Sequence, residues 1–320
     1  MSSIAVIGAG AWGTALAIQA SRAGAKVQLW ARDPANAAAI AETRTNPRLP
    51  GIRLPDAITL TAEFPATAEA ILLAVPVQHM RAVAAKLPAG TIPILICAKG
   101  VEARTLLLPL EILNELHPGR PAAVLSGPNF AGEIARGMPA AAALAAIDPA
   151  LRAYLTRLLA TPEFRLYGND DPIGVQAGGA AKNVIAIAAG AVIGAGLGEN
   201  ARAALITRGI AELSRLIIAL GGRTETAMGL SGLGDLLLTC TGPSSRNYSL
   251  GHGLGRGETL ANILAARSNV TEGVATAPAL IARAGATDMP ICTAVAALVS
   301  GHATLADLTT NLLNRPRRDE

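Results

Sequence analysis

Aromatic residues are scarce: three Phe, two Trp and three Tyr make up 2% of the 320 residues. A nucleic-acid surface that stacks bases on aromatic rings has little to work with here. Cysteines number three, Cys97, Cys240 and Cys292, an odd count without metal-ligand spacing. That excludes a disulfide framework, offers no metal site, and fits reduced, buried thiols in the cytoplasm. No run reaches the roughly 18 uninterrupted apolar residues of a membrane span. The stretch 184–198 comes nearest, but it is rich in Gly and Ala, stops at Glu199 and reads as a buried helix. The N-terminus lacks a cationic segment ahead of an apolar run, so no secretory signal is expected. The expectation is a cytoplasmic protein with no integral membrane segment.

Lysine is the most informative shortage. Only Lys26, Lys86, Lys99 and Lys182 occur, and arginine supplies the other 23 of 27 basic side chains. Where this sequence needs surface charge it uses Arg, so a lysine inside a motif is there for more than charge. Lysine can exchange protons near neutrality, which arginine cannot. Net charge is +4 with a pI near 9.2, but the basic residues are scattered apart from Arg315, Arg317 and Arg318 on the tail. Such a mild positive field recruits small anions rather than nucleic acid.

What is present suits two domains, with 51% hydrophobic residues to fill two cores. The first half alternates short β-branched runs with helical patterns, as doubly wound α/β Rossmann sheets do. Strands are expected at 4–7, 27–30, 71–75, 92–97, 122–125 and 141–147, with helices at 13–22, 78–86 and 148–160. The last of these opens on a capping Asp148 and Pro149. Beyond about 175 only helical spacing remains, for instance Ile206, Ile210, Leu213 and Ile217. The reading is a dinucleotide-binding Rossmann domain over 1–175 and an all-α substrate and catalytic domain over 176–320.

Gly8-Ala9-Gly10-Ala11-Trp12-Gly13 follows the first strand and opens the first helix. Gly8 permits a tight turn, Gly10 lets the backbone approach a pyrophosphate, and Gly13 allows close helix–strand packing. The helix N-terminus then offers N–H groups to the anion. Near the ribose position NAD sites usually carry an acid, whereas here Arg32 precedes Asp33 and Pro34. Arg32 can face a 2′-phosphate, lie across the adenine, or be a solvated surface residue. Asp33 is the N-cap of the next helix. The glycines of 251–257 follow no strand and are set aside as a phosphate loop.

Hydride transfer to or from an alcohol needs a proton carrier. His79, His117, His252 and His302 lack an orienting acid and read as surface or packing residues. Lys182 lies among Gly, Ala, Val and Ile at the start of a long apolar helix, where a charge is costly unless it is paired or works. Lys99 closes an apolar strand, the usual place for ligands on such sheets. Asp235 can orient a lysine ammonium, and Ser245 can cap a helix whose first turn, with Arg246 and Asn247, cradles a phosphate.

At this point the residues resemble a known family, bacterial NAD(P)-dependent glycerol-3-phosphate dehydrogenase, over nearly the full length. The motifs are GAGAWG at 8–13, AKG at 98–100, SGPNFAGE at 126–133 and IGVQAGGAAKNVIAIAAG at 173–190. They continue with NARAALITRG at 200–209, GLGDLLLTCTGPSSRN at 232–247 and TEG at 271–273. The resemblance implies interconversion of dihydroxyacetone phosphate and sn-glycerol 3-phosphate with NADP or NAD, supplying phospholipid synthesis; Arg32 in place of the usual acid is expected to favour NADPH. It implies Lys182 as the proton donor and acceptor, with Lys99 and Asp235 also catalytic. Lys99, Gly127, Asn129, Lys182, Asn183, Asp235, Ser245, Arg246 and Asn247 fall on substrate positions. Gly8, Gly10, Ala11, Trp12, Gly13, Arg32, Lys99, Ala131, Arg246, Val270 and Glu272 fall on coenzyme positions. A homodimer belongs to the same expectation. Residue 11 is Ala where bacterial members often carry Ser or Thr, and residue 129 is Asn where many have Thr or Ser. Two rivals share the glycine loop: a lysine-using reductase of the hydroxyacid or ketopantoate type, and a catalytically silent NAD(P) sensor.

Overall fold

The computed structural model describes residues 2–65, 67–267 and 271–314, except the side chains of Leu312 and Leu313. Val270 and the tail arginines Arg315, Arg317 and Arg318 lie outside them. The first half runs β1 (Ser3–Ile7), α1 (Ala11–Arg22), β2 (Lys26–Trp30), α2 (Pro34–Thr43), β3 (Ile58–Thr61), β4 (Ala70–Leu73), α3 (Val77–Ala84) and β5 (Ile94–Ile96). It continues with α4 (Pro109–Leu116), β6 (Ala122–Ser126), α5 (Ala131–Arg136), β7 (Ala140–Ala145), α6 (Pro149–Leu159) and β8 (Phe164–Asn169).

Eight strands form one sheet in the order β3-β2-β1-β4-β5-β6-β7-β8. Every neighbouring pair is parallel except β6 with β7. The strand order reverses beside β1, the Rossmann switch point. Along β1, Ile4 and Val6 enter one core cluster and Ala5 and Ile7 the other. Burial on both faces is why these strands read as continuous apolar runs. Two strands were not anticipated, and both are edges. β3 (ITLT) and β8 (FRLYGN) carry exposed positions and polar residues, so their apolar signal is weak. Asp33 and Asp148 cap α2 and α6 as expected, accepting from the Ala35 and Ala150 N–H groups.

The second half is helical: α7 (Pro172–Gly194), α8 (Gly198–Ala219), α9 (Thr224–Ala227), a π-helical turn over Leu230–Gly234, α10 (Asp235–Cys240), α11 (Arg246–Gly255), α12 (Leu260–Ala265), α13 (Glu272–Ala284), α14 (Pro290–Val299) and α15 (Leu305–Leu313). By length and composition α7 could cross a membrane, but 78% of its apolar window is buried inside the protein, as in a core helix. The glycines set aside at 251–257 mostly belong to α11. A Cβ on Gly251 would lie 1.9 Å from the Ile187 carbonyl oxygen, and one on Gly190 would lie 2.0 Å from that of Tyr248. They are glycine because α7 and α11 touch backbone to backbone.

By internal contacts the chain divides into two compact units. One comprises Met1–Lys99 with Leu107–Gln176, the other Gly100–Leu106 with Ala177–Glu320. The chain thus leaves the first unit within α7, and the short segment Gly100–Leu106 groups with the helical residues.

Candidate active site

In the first unit the candidate residues follow the C-terminal ends of parallel strands. Gly8, after β1, has φ +117°, and its missing side chain clears the Ala74 carbonyl oxygen, which a Cβ would approach to 2.8 Å. A Cβ on Gly13 would meet the Gly8 carbonyl oxygen at 1.9 Å, so the first turn of α1 can pack this close to the loop only with glycine here. Gly10 differs. A Cβ there would meet nothing within 4 Å, which leaves open space beside the first turn of α1. That turn has no side-chain cap. Free helix N–H groups beside open space suit a pyrophosphate. Nearby in sequence, the buried Trp12 indole N–H has no hydrogen-bond partner.

Arg32, after β2, is exposed. Lys99, half-buried after β5, donates to the Gly127 carbonyl at 3.2 Å. Gly127 follows β6 with φ +159°, and a Cβ there would sit 2.9 Å from Ala142 Cα. Both polar atoms of the Asn129 amide are buried without a partner. Ala131 is the first residue of α5. Orphaned buried polar atoms cost about 1–3 kcal/mol each, so Trp12 and Asn129 fit a site completed by a polar ligand.

In the second unit the site is built on two faces of α7. A Cβ on Gly178 would lie 2.6 Å from the Ser231 carbonyl oxygen, so glycine there lets the π-helical turn press against the helix. One turn further along both segments, Lys182 Nζ lies 3.0 Å from Asp235 Oδ1. It lies 3.0 Å also from Thr239 Oγ1. Lys182 is 9% exposed and Asp235 1%. Thr239 in turn donates to the Asp235 backbone carbonyl, one helical turn back on α10. This threonine was not singled out from sequence, although its i,i+4 spacing from Asp235 was a usable signal.

The other face of α7 carries Asn183, whose Oδ1 accepts from Asn247 Nδ2 at 2.8 Å. Asn247 Oδ1 accepts from the Gly273 N–H at 3.0 Å. Gly190 and Gly251 bring α7 and α11 close enough for this contact. Ser245 caps α11, its Oγ accepting from the Tyr248 N–H at 3.2 Å. Arg246, the first helical residue, is exposed, and its carbonyl accepts from Arg267 Nη1 at 2.8 Å. Glu272 is half-buried in the first turn of α13. Burial pushes the neighbouring Cys240 thiol up to about 12, against the pull of Lys182, so it stays protonated and is no nucleophile.

A glycine loop on a Rossmann sheet and a buried lysine–aspartate pair on a helical unit accompany matches to two family models. The model of the NAD-dependent glycerol-3-phosphate dehydrogenase N-terminus matches residues 3–152, and that of the C-terminus residues 171–310. This chain belongs to the NAD-dependent glycerol-3-phosphate dehydrogenase family. Within the family, it is 55% identical to the glycerol-3-phosphate dehydrogenase [NAD(P)+] of Gluconobacter oxydans (strain 621H), over 98% of this chain and 97% of that one. It is 58% identical to the enzyme of the same name from Acidiphilium cryptum (strain JF-5), over 99% and 98%. The crystal structure of the Coxiella burnetii glycerol-3-phosphate dehydrogenase superposes with a TM-score of 0.94 at 35% identity. That match covers 98% of this chain and 99% of the other.

Proposed function

We propose that Lys182 carries the proton in a reaction that interconverts dihydroxyacetone phosphate and sn-glycerol 3-phosphate with NADP or NAD. The observation that carries this reading is the buried contact of Lys182 Nζ with Asp235 and Thr239. The coenzyme supplies or takes the hydride at the central carbon. In reduction, Lys182 Nζ donates a proton to the developing alkoxide; in oxidation, the neutral amine accepts the hydroxyl proton. Asp235 stabilises the ammonium form, and Thr239 fixes the direction in which Nζ can donate.

On this reading Gly8, Gly10, Ala11, Trp12, Gly13, Arg32, Lys99, Ala131, Arg246, Val270 and Glu272 hold the coenzyme, Lys99 and Arg246 lying near both ligands. Arg32 favours NADPH through its 2′-phosphate. Lys99, Gly127, Asn129, Asn183, Ser245, Arg246 and Asn247 hold the substrate. Residues 1–175 serve as the dinucleotide-binding domain and 176–320 as the substrate and catalytic domain. Supply of glycerol 3-phosphate for phospholipid synthesis, by a cytoplasmic homodimer, completes the reading.

The test is the fall in NADPH absorbance on adding dihydroxyacetone phosphate, repeated with NADH. Turnover with both and a preference for NADPH are expected. Lys182→Ala should lose roughly 10²–10⁴-fold in kcat while still binding NADPH. Near-normal turnover in that variant would remove Lys182 from the mechanism.

A further inference from the structure

Asn46 is 2% exposed and lies between α2 and β3, more than thirty residues beyond the glycine loop. Its Nδ2 donates to the Ala9 carbonyl at 3.1 Å and to Thr14 Oγ1 at 2.7 Å. Its Oδ1 accepts from the Arg48 N–H at 3.0 Å. Both amide hydrogens and the amide oxygen are therefore engaged, and a flipped amide would set oxygen against the Ala9 carbonyl. Ala9 and Thr14 flank the four residues from Gly10 to Gly13, so one amide grips the loop at both ends.

We propose that Asn46 is a positioning residue for the coenzyme, setting the backbone direction of the glycine loop. In a trans peptide the carbonyl and the following N–H point opposite ways. Holding the Ala9 carbonyl turns the Gly10 N–H away from Asn46. The second bond, to Thr14, fixes the first turn of α1, where Thr14 N also donates to the Gly10 carbonyl at 2.9 Å. Asn46 is itself anchored. Leu49 N–H donates to the Asn46 carbonyl at 2.8 Å, and Leu49 and Leu54 are buried in the sheet's core. The guanidinium of Arg44, two residues earlier, binds the Ile58, Leu54 and Pro55 carbonyls. The core thus fixes the segment, the segment fixes the amide, and the amide aims the loop.

The inference rests on the reading that the loop at 8–13 binds the coenzyme, so the experiment tests both. In Gly10→Val the added side chain fills space that the protein leaves open; coenzyme binding should be lost with the melting temperature of the free protein retained. Unchanged binding there would overturn the loop reading itself. In Asn46→Asp the acceptor for Arg48 remains but the donor to Ala9 becomes an anion, and in Asn46→Ala both are removed. Each should raise the Kd for NADPH, measured by fluorescence titration, by about 10- to 100-fold, the effect of an unmade buried hydrogen bond. The KM for dihydroxyacetone phosphate at saturating NADPH should change less than about twofold on the same argument. A fall in melting temperature with unchanged Kd would overturn the proposal, and so would an equal rise in both constants. If both Asn46 variants prove too unstable to purify, Thr14→Ala removes one arm of the grip. A rise in NADPH Kd alone supports the proposal there, and no rise overturns it.

Discussion

Lys182 sits among small apolar residues of α7, where a lone ammonium would cost several kcal/mol, so Asp235 and Thr239 are what make it tolerable. Arg246 is the opposite case, exposed at the capped start of α11 and able to meet an anion there. The reacting carbonyl offers little to bind, so the substrate phosphate must supply most of the binding energy and orient the far end. Truncating one partner of a buried charge pair costs about 2–5 kcal/mol, and solvent screening places Arg246 at the low end. Arg246→Ala should then lose about 30-fold in kcat/KM with dihydroxyacetone phosphate. Unphosphorylated dihydroxyacetone, which never had the contact, should show little change. Steady-state kinetics of both enzymes on both substrates decides it, and an equal drop on both would move the phosphate site elsewhere.

At the scale of elements, helix contacts rather than helix propensity set the site. Alanine in place of Gly251 gains about 1 kcal/mol of helix propensity. Its Cβ, however, falls 1.9 Å from the Ile187 carbonyl oxygen, and overpacking of that kind costs typically 1–3 kcal/mol or more. The clash wins. Gly251→Ala should lower the melting temperature and, by parting Asn247 from Asn183, reduce activity as well. A second element contact is Glu212 of α8, 1% exposed, whose carboxylate accepts from the Ile291 and Cys292 N–H groups at the start of α14. Burial raises its pKa above the ordinary 4.5, against the pull of those two N–H groups. The folded protein therefore binds the proton more tightly than the unfolded chain. Its contribution to stability is greatest below pH 4.5 and declines as pH climbs through the raised folded value. Urea unfolding of wild type and Glu212→Gln across that window checks the sign: the wild-type advantage should shrink as pH rises.

The whole molecule is two compact units, and a ligand held by one stabilises that one. NADPH at about 100 times its Kd adds about 2.7 kcal/mol to whatever unfolds on releasing it. Calorimetry with and without NADPH should move the transition of the unit that carries the glycine loop. If the helical unit melts separately, its transition should move less, because most of the proposed coenzyme residues lie on the other unit.

How much of this is legible in the sequence depends on the range of the interactions. The glycine loop, the caps at Asp33, Asp148 and Ser245, the buried strands and the long apolar helix are local patterns, and local sterics and burial fix them within a few residues. Lys182 could be picked out because a charge inside an apolar run needs a reason, and Asp235 because a buried ammonium needs a partner. The edge strands β3 and β8 were missed because a half-solvated strand carries little apolar signal. Other features depend on contacts between residues far apart in the chain, which no local pattern encodes. They are the reversal of β7, the membership of Gly100–Leu106, the glycine seam between α7 and α11, and the reach of Asn46 to Ala9. The sequence determined which residues could do chemistry; the close approach of distant backbones decided which of them meet.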